Sequence, residues 1–126
     1  MGMGPGSPVT LAFREAGGSG GVPVVLLHAQ GSTAGTWDAF VARVDRRVLA
    51  LDLRGHGESS WAKKYSLELM CEDVLGFLDA KGIAQADLVG HSMGGRVAVL
   101  VAQRQPGRVR RLVVEDAPPP PPVLSR

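Results

Sequence analysis

Ser92 lies between two glycines, at a point where strand-forming residues give way to helix-forming ones. Residues 88–100 are LVGHSMGGRVAVL, which contains the pattern G-x-S-x-G at positions 90–94. A tight, strained strand-to-helix turn requires glycine at these two positions, because a Cβ there would clash. Such a turn presents the serine hydroxyl and directs the Met93 N–H and the helix N-terminus toward a developing oxyanion. The pattern therefore predicts a nucleophile at Ser92 and an oxyanion donor at Met93.

Apolar segments rich in Val and Leu alternate with amphipathic segments along the chain. Near-continuous apolar runs are typical of strands buried on both faces of a parallel sheet. Strands are predicted at 9–15, 22–28, 47–52, 86–90 and 110–116, and helices from Thr36 onward, at 66–82 and at 95–105. Because strands joined by helices form right-handed βαβ units, the sequence predicts an α/β fold, a mostly parallel sheet with helices on both faces.

Two of the predicted helices carry an apolar stripe. Thr36 is the expected N-cap of the first, in which apolar side chains recur at i, i+3, i+4 and i+7. These side chains are Trp37, Phe40, Val41 and Val44. Ser66 is the expected N-cap of the second, and Cys71 lies on its inward stripe. We therefore expect Trp37 to be a core residue rather than a ligand platform, and Cys71 to be a core thiol rather than a reactive one.

The composition is that of an ordinary soluble globular protein. The 126 residues are 44% hydrophobic and 21% charged, with a formal net charge of +2 and one cysteine. One domain is expected at this length, and so small a charge does not favour a nucleic-acid partner. We expect no secretory signal and no membrane association, because the longest apolar run is far shorter than the roughly 18 residues of a membrane span. The expected location is the cytoplasm.

The sequence predicts no cofactor. The glycine-rich segments at 16–21 and 54–60 lack the spacing of phosphate-binding loops. No pair of histidine, cysteine or carboxylate side chains has the spacing of metal ligands, so we expect neither a nucleotide nor a metal. The arginines within residues 104–111 are expected to form a solvated surface rather than a phosphate site.

Four segments in register resemble the α/β-hydrolase superfamily, specifically its esterase-like and haloperoxidase-like branch. They are VVLLHAQGSTAGTWDAF, VLALDLRGHGESSW, LVGHSMGGRVAVLVA and LVVEDAPP. The resemblance extends from about residue 9 to 118 and matches only the N-terminal half of that fold. It implies the N-terminal part of a hydrolase domain at 9–117. Glycine and proline predict a flexible N-terminus at 1–8, and the run of prolines predicts a proline-rich tail, or the start of a missing lid, at 118–126.

The resemblance also implies roles for two further residues. The loop after the first central strand supplies the second oxyanion donor in this family, which corresponds to the backbone N–H of Gln30. Ala29 stands where a glycine usually follows the motif histidine, and the alternative is that Gln30 is merely a surface-loop residue. The segment VEDAPP matches a branch in which the triad acid ends the strand after the elbow helix, which makes Asp116 the candidate acid. Otherwise Asp116 caps the strand and the acid lies beyond the C-terminus.

The sequence contains three histidines, and none is favoured as the general base. His91 precedes Ser92, so its side chain leaves the turn on the other side. His28 resembles a loop-bracing residue of the family, and His56 lies in a loop that is structural in relatives. The catalytic histidine of the family follows the last strand, so we expect either that this chain is a fragment, inactive alone, or that another polypeptide supplies the histidine.

Several functions remain open at this point. The first is a serine hydrolase that acts on a small-molecule, ester-like substrate by acyl transfer. A lyase, a synthase or a cofactor-free haloperoxidase would use the same serine on the same fold, and a non-catalytic remnant or binding module is the alternative from another class. The strand that ends at Asp116 would present an unpaired edge and the apolar residues LVV, so self-association is also expected.

Overall fold

The computed structural model describes residues 11–18, 21–43, 45–56 and 66–115. Strands alternate with helices in this part of the chain, as the sequence predicts. The strands are β1 (Phe13–Ala16), β2 (Val24–Leu27), β3 (Val48–Leu51), β4 (Ala86–His91) and β5 (Val109–Glu115). The α-helices are α1 (Asp38–Val41), α2 (Leu67–Ala80) and α3 (Met93–Arg104), and 3₁₀ turns occupy Ala34–Trp37 and Pro106–Arg108.

The five strands form one sheet in the order β1-β3-β2-β4-β5. β2, β3, β4 and β5 are parallel to one another, and β1 pairs with β3 in the antiparallel direction. The predicted mostly parallel sheet is therefore confirmed. Because parallel strands run in one direction, the carboxyl ends of β2 to β5 lie along one edge of the sheet, which is where ligands bind in open α/β sheets.

The side chains of each buried strand alternate between two apolar clusters. In β2, Val25 and Leu27 belong to the larger cluster, which also contains the inward faces of α2 and α3. Val24 and Leu26 belong to the smaller cluster, on the opposite face of the sheet, beneath Ala34 and Trp37. All four β2 side chains are buried, so the strand has the two-sided burial that its apolar run predicts.

Helix α2 begins and packs as its sequence predicts. The Ser66 hydroxyl oxygen accepts a hydrogen bond from the Leu69 N–H at 3.1 Å, which satisfies one of the donors that a helix N-terminus leaves free. Cys71 is fully buried, and burial raises the pKa of its thiol. Cys71 is therefore a core thiol, as expected.

The prediction for the first helix was wrong in its start and its length. The chain forms a 3₁₀ turn at Ala34–Trp37 and then only one turn of α-helix, so Thr36 is not the N-cap. A 3₁₀ turn has about three residues per turn instead of 3.6, so it shifts the phase of the side chains that follow. Trp37 is buried as predicted, but Phe40 is 39% exposed. Val44 lies outside the described residues.

None of the helices in the described ranges is both long enough and apolar enough to cross a membrane.

Candidate active site

Ser92 occupies the turn between β4 and α3, as the G-x-S-x-G pattern predicts. Its backbone angles are φ 54° and ψ −111°. Among the described residues it is the only one other than glycine with positive φ. An L-residue reaches this conformation only at a cost of about 1–3 kcal/mol, so the surrounding structure must enforce it.

Two glycines make the turn sterically possible. A Cβ on Gly90 would lie 2.4 Å from the Gly94 carbonyl oxygen, so the strand end and the helix start are in backbone contact there. A Cβ on Gly94 would lie 2.3 Å from the Leu27 carbonyl oxygen and 2.6 Å from that of His28. The start of α3 is therefore packed directly on the end of β2. No other residue type fits either position without a backbone shift.

Backbone N–H groups near Ser92 lack partners within the described part of the chain. Met93 is the first residue of α3, where N–H groups have no intrahelical acceptor, and the first bond of the helix runs from the Arg96 N–H to the Ser92 carbonyl oxygen at 3.1 Å. In the loop after β2, the Gly31 N–H donates to His56 Nε2 at 3.0 Å. The Ser32 N–H donates to the Ala29 carbonyl oxygen at 3.1 Å. The Gln30 N–H is left as an available donor of this loop.

His28 and His56 both hold loops, and their ring nitrogens are occupied. His28 Nε2 accepts the Leu53 N–H at 3.0 Å, so Nδ1 carries the proton that is donated to the Ala29 carbonyl oxygen at 2.7 Å. His56 Nε2 likewise accepts the Gly31 N–H, and its Nδ1 lies 2.9 Å from the Arg54 carbonyl oxygen. The two rings lie beside each other, with centroids 5.0 Å apart. Neither ring has a free nitrogen with which to deprotonate Ser92.

The electrostatic environment of His28 favours the neutral ring. The side chain is fully buried. Burial lowers the pKa of His28, and the bond to Ala29 offsets this only in part. A neutral ring is what the hydrogen bonds require, because a protonated Nε2 could not accept the Leu53 N–H.

Asp116, the candidate acid, lies outside the described residues, so its side-chain position stays a prediction. The residue before it is described. The Glu115 carbonyl oxygen accepts the Ser92 N–H at 2.8 Å, and Glu115 pairs with His91 in the β4–β5 register. The end of β5 is therefore bonded directly to the serine turn.

A buried ion pair between Arg54 and Asp73 was not predicted from the sequence. Arg54 donates to both carboxylate oxygens of Asp73, at 2.6 and 2.9 Å, and both side chains are almost completely buried. The pair links the loop after β3 to α2. The neighbouring Asp52 accepts the Ala34 N–H at 2.7 Å. The sign of this pair in the sequence was the presence of Asp52 and Arg54 in the otherwise apolar segment LALDLRG.

Arginines within residues 104–111 form ion pairs with carboxylates of other elements. Arg108 forms an ion pair with Asp79 at 2.9 Å, and Arg110 forms one with Asp87 at 2.7 Å. Arg46 pairs with the same Asp87 carboxylate. Hydrogen bonding to Arg110 is the main cause that lowers the pKa of Asp87. These contacts join β5 and the 3₁₀ turn before it to the rest of the fold, away from the serine.

Known proteins are similar to this chain in both sequence and fold. The chain is 46% identical over 105 residues to the dihydrolipoyllysine-residue acetyltransferase component of the acetoin cleaving system of Pseudomonas putida, covering 81% of this chain and 28% of that protein. It is 38% identical over 117 residues to the sn-1-specific diacylglycerol lipase ABHD11 of Mus musculus, covering 89% of this chain and 38% of the lipase.

Among solved structures, a marine microorganism esterase superposes with a TM-score of 0.81 at 31% identity, over 84% of this chain and 41% of the esterase. The chain thus spans well under half the length of each of these relatives. The sequence model of the alpha/beta hydrolase fold matches residues 22–126. This match and the geometry of the serine turn lead to one conclusion: the chain belongs to the α/β-hydrolase family.

Proposed function

We propose that Ser92 is the nucleophile of an ester hydrolase that works by acyl transfer. The observation that carries the proposal is the positive φ of Ser92 between two glycines whose Cβ positions are filled by backbone. Strain of this kind clusters at catalytic residues, because function is what retains it. The Ser92 hydroxyl oxygen would attack the ester carbonyl carbon, the alcohol would leave, and water would then release the acid from the acyl-enzyme.

The Met93 and Gln30 N–H groups are the proposed oxyanion donors. Both lie at the carboxyl edge of the sheet, and both lack an acceptor in the described ranges. The hydrogen bond from the Gly31 N–H to His56 supports Gln30 in particular, because the neighbouring Gly31 N–H is then already occupied and cannot donate to an oxyanion. Two fixed N–H groups stabilise a developing oxyanion without reorganisation, and the loss of one such donor typically costs about 10²–10³ in kcat.

The remaining members of the triad are proposed as Asp116 and a histidine outside the 126 residues. The bond between the Ser92 N–H and the Glu115 carbonyl oxygen supports Asp116, which directly follows Glu115 in the chain. The occupied rings of His28 and His56 argue against either as the base. Asp116 would orient the histidine, which would take the Ser92 proton and return it to the leaving alcohol.

A small-molecule ester is the proposed substrate class. Two of the relatives are named as a lipase and an esterase, and acyl transfer from an ester uses the serine nucleophile and the oxyanion donors proposed above. Serine at the elbow is also the residue that an acyl-enzyme mechanism requires.

Covalent labelling with a fluorophosphonate in the presence of imidazole tests the proposal. Free imidazole supplies the general base, so labelling should accelerate and should be confined to Ser92 in peptide mass maps. Ser92→Ala should abolish it. Ser32→Ala is the matched control, because Ser32 is also half-buried at the same edge of the sheet, and its labelling should equal that of the parent chain. Label spread over several serines, or no label with imidazole present, would contradict a nucleophilic Ser92.

A further inference from the structure

A β-turn at residues 29–32 follows β2 and includes Gln30. The Ser32 N–H closes the turn by donating to the Ala29 carbonyl oxygen at 3.1 Å. Gly31 has φ 79°, whereas Gln30 does not have positive φ. A negative φ followed by a positive φ at the two central residues is the signature of a type II turn, in which glycine is favoured at the second central position.

The central peptide of this turn is held by His56. The Gly31 N–H belongs to that peptide and donates to His56 Nε2 at 3.0 Å. His56 Nδ1 lies 2.9 Å from the Arg54 carbonyl oxygen, which can only accept, so Nδ1 carries the proton of the neutral ring and Nε2 carries none. The hydrogen bond at Gly31 therefore exists only while Nε2 is unprotonated.

Protonation of the His56 ring would reverse the polarity of this contact. Nε2–H and the Gly31 N–H would then be two donors that face each other across 3.0 Å. Reversal of the Gln30–Gly31 peptide would bring the Gln30 carbonyl oxygen toward His56 in place of the Gly31 N–H, because the two groups point in opposite directions from a trans peptide. The oxygen would accept from a positively charged ring, and such charge-assisted hydrogen bonds are stronger than neutral ones.

The turn can reverse this peptide without breaking its closing bond. Type I and type II turns share the hydrogen bond between their first and fourth residues and differ mainly in ψ of the second residue and φ of the third. These angles are the ψ of Gln30 and the φ of Gly31. Glycine adopts positive and negative φ about equally readily, so Gly31 is compatible with both turn types.

We propose that His56 is a pH-dependent switch of this turn: the neutral ring selects the type II form, and the protonated ring selects the type I form with the Gln30–Gly31 peptide reversed. The peptide that reverses directly follows the Gln30 N–H. The switch would therefore act beside the proposed oxyanion donor, a consequence that rests on the proposed function, whereas the switch itself does not.

The charged and titratable neighbours of His56 are held by contacts of their own. On the same loop, Asp52 accepts the Ala34 N–H and Arg54 is paired with Asp73 of α2. The His28 ring faces His56 from the loop after β2, with the ring centroids 5.0 Å apart. Burial lowers the pKa of His28, so this ring remains a neutral neighbour while the pH falls through the ordinary histidine range.

NMR of the 126-residue chain between about pH 7.5 and about pH 5, within the range over which histidines change charge, tests the proposal. In a type II turn the Gln30 Hα lies close to the Gly31 N–H, whereas in a type I turn the N–H groups of Gln30 and Gly31 lie close together. Two nuclear Overhauser cross-peaks therefore report the two forms. The first should dominate at about pH 7.5, and the ratio of the second to the first should rise about tenfold as the pH falls.

Two variants separate the switch from a general effect of pH. His56→Gln removes the titrating ring and should make the ratio of the cross-peaks independent of pH. Gly31→Ala should raise this ratio about tenfold already at about pH 7.5, because alanine disfavours φ 79°. Steric exclusion is not the cause, since no atom of the described chain lies within 4 Å of the Gly31 Cβ position.

Gly82→Ala is the matched control for Gly31→Ala. Gly82 has φ 67°, and its Cβ position is equally open, but it follows α2 and lies outside the turn. The substitution introduces the same kind of strain, so the cross-peaks of residues 29–32 and their pH dependence should equal those of the parent chain.

Cross-peaks that do not change with pH in the parent chain would overturn the proposal. A change that persists in His56→Gln would overturn it as well, because another group would then drive the reversal, and so would a type II turn in Gly31→Ala at both ends of the pH range. Exchange protection of the β4 amides shows whether each variant folds. If His56→Gln does not fold, the parent titration and the comparison of Gly31→Ala with Gly82→Ala decide. Ser92 labelling is read out separately from all of these.

Discussion

The Ser92 N–H donates a hydrogen bond to the Glu115 carbonyl oxygen at 2.8 Å. This bond extends the β4–β5 ladder by one residue into the turn, so the last strand of the described sheet helps to hold the serine in its positive-φ conformation. Changes at the end of β5 are thus coupled to the conformation of Ser92, 23 positions earlier in the chain.

Replacing Ser92 with glycine should stabilise the fold relative to Ser92→Ala. Alanine retains the Cβ that is unfavourable at φ 54°, whereas glycine does not, and the difference should be about 1 kcal/mol in the free energy of unfolding. Urea unfolding of the two variants measures it. Ser32 does not have positive φ. There the glycine variant should instead be less stable than the alanine variant.

Gly94→Ala should destabilise the chain by about 3 kcal/mol or prevent folding. The new methyl group would meet the Leu27 carbonyl oxygen at 2.3 Å, and backbone there cannot move without disturbing β2. Gly107→Ala is the control, because nothing lies within 4 Å of its Cβ position. Its unfolding midpoint should match that of the parent, and equal stability of the two variants would refute the close contact of α3 with β2.

Asp73→Asn should cost about 3–5 kcal/mol of stability, because it leaves the charge of Arg54 buried without its carboxylate. Both side chains of this pair are at most 1% exposed. Glu15→Gln breaks a comparable pair with Arg47, but those side chains are 41% and 29% exposed. Its cost should be below about 1 kcal/mol. Chemical denaturation of both variants compares the buried and the exposed pair directly.

Stability should fall as the pH drops through the ordinary histidine pKa of about 6.5. Burial lowers the pKa of His28 in the folded chain, so the unfolded chain takes up a proton near its ordinary pKa of about 6.5 while the folded chain does not. The loss of stability begins near the ordinary histidine pKa and levels off below the pKa of His28 in the folded chain. His28→Gln, which removes the titrating ring, should show a flatter profile.

The 126-residue chain should hydrolyse a short-chain aryl ester no faster than its Ser92→Ala variant. Without a general base the hydroxyl stays protonated, and loss of the base in a serine triad lowers kcat by roughly 10⁶. Parallel assays of the two proteins test this. A large serine-dependent rate would mean that His28 or His56 leaves its loop contacts and acts as the base.

The elements whose signals are local could be predicted from the amino-acid sequence. The glycines around Ser92, the apolar runs of β2 and β3, and the Ser66 cap of α2 all act within a few residues, so each could be recognised in place. The alternation of strands and helices then led to a mostly parallel sheet, because βαβ connections allow few alternatives. The predicted position of the serine on a strand-to-helix turn is confirmed for the same reason.

The contacts between distant segments could not be predicted and became visible only in the folded chain. The bonds of His28 to Leu53 and of His56 to Gly31 each join residues 25 positions apart, and no local pattern encodes them. The Arg54–Asp73 pair and the exposed position of Phe40 likewise depend on where α2 and the 3₁₀ turn pack. Local signals specify backbone conformation, but the partner of a buried polar group is determined by the packing of the whole chain, because that group must find its acceptor or donor wherever the fold brings one.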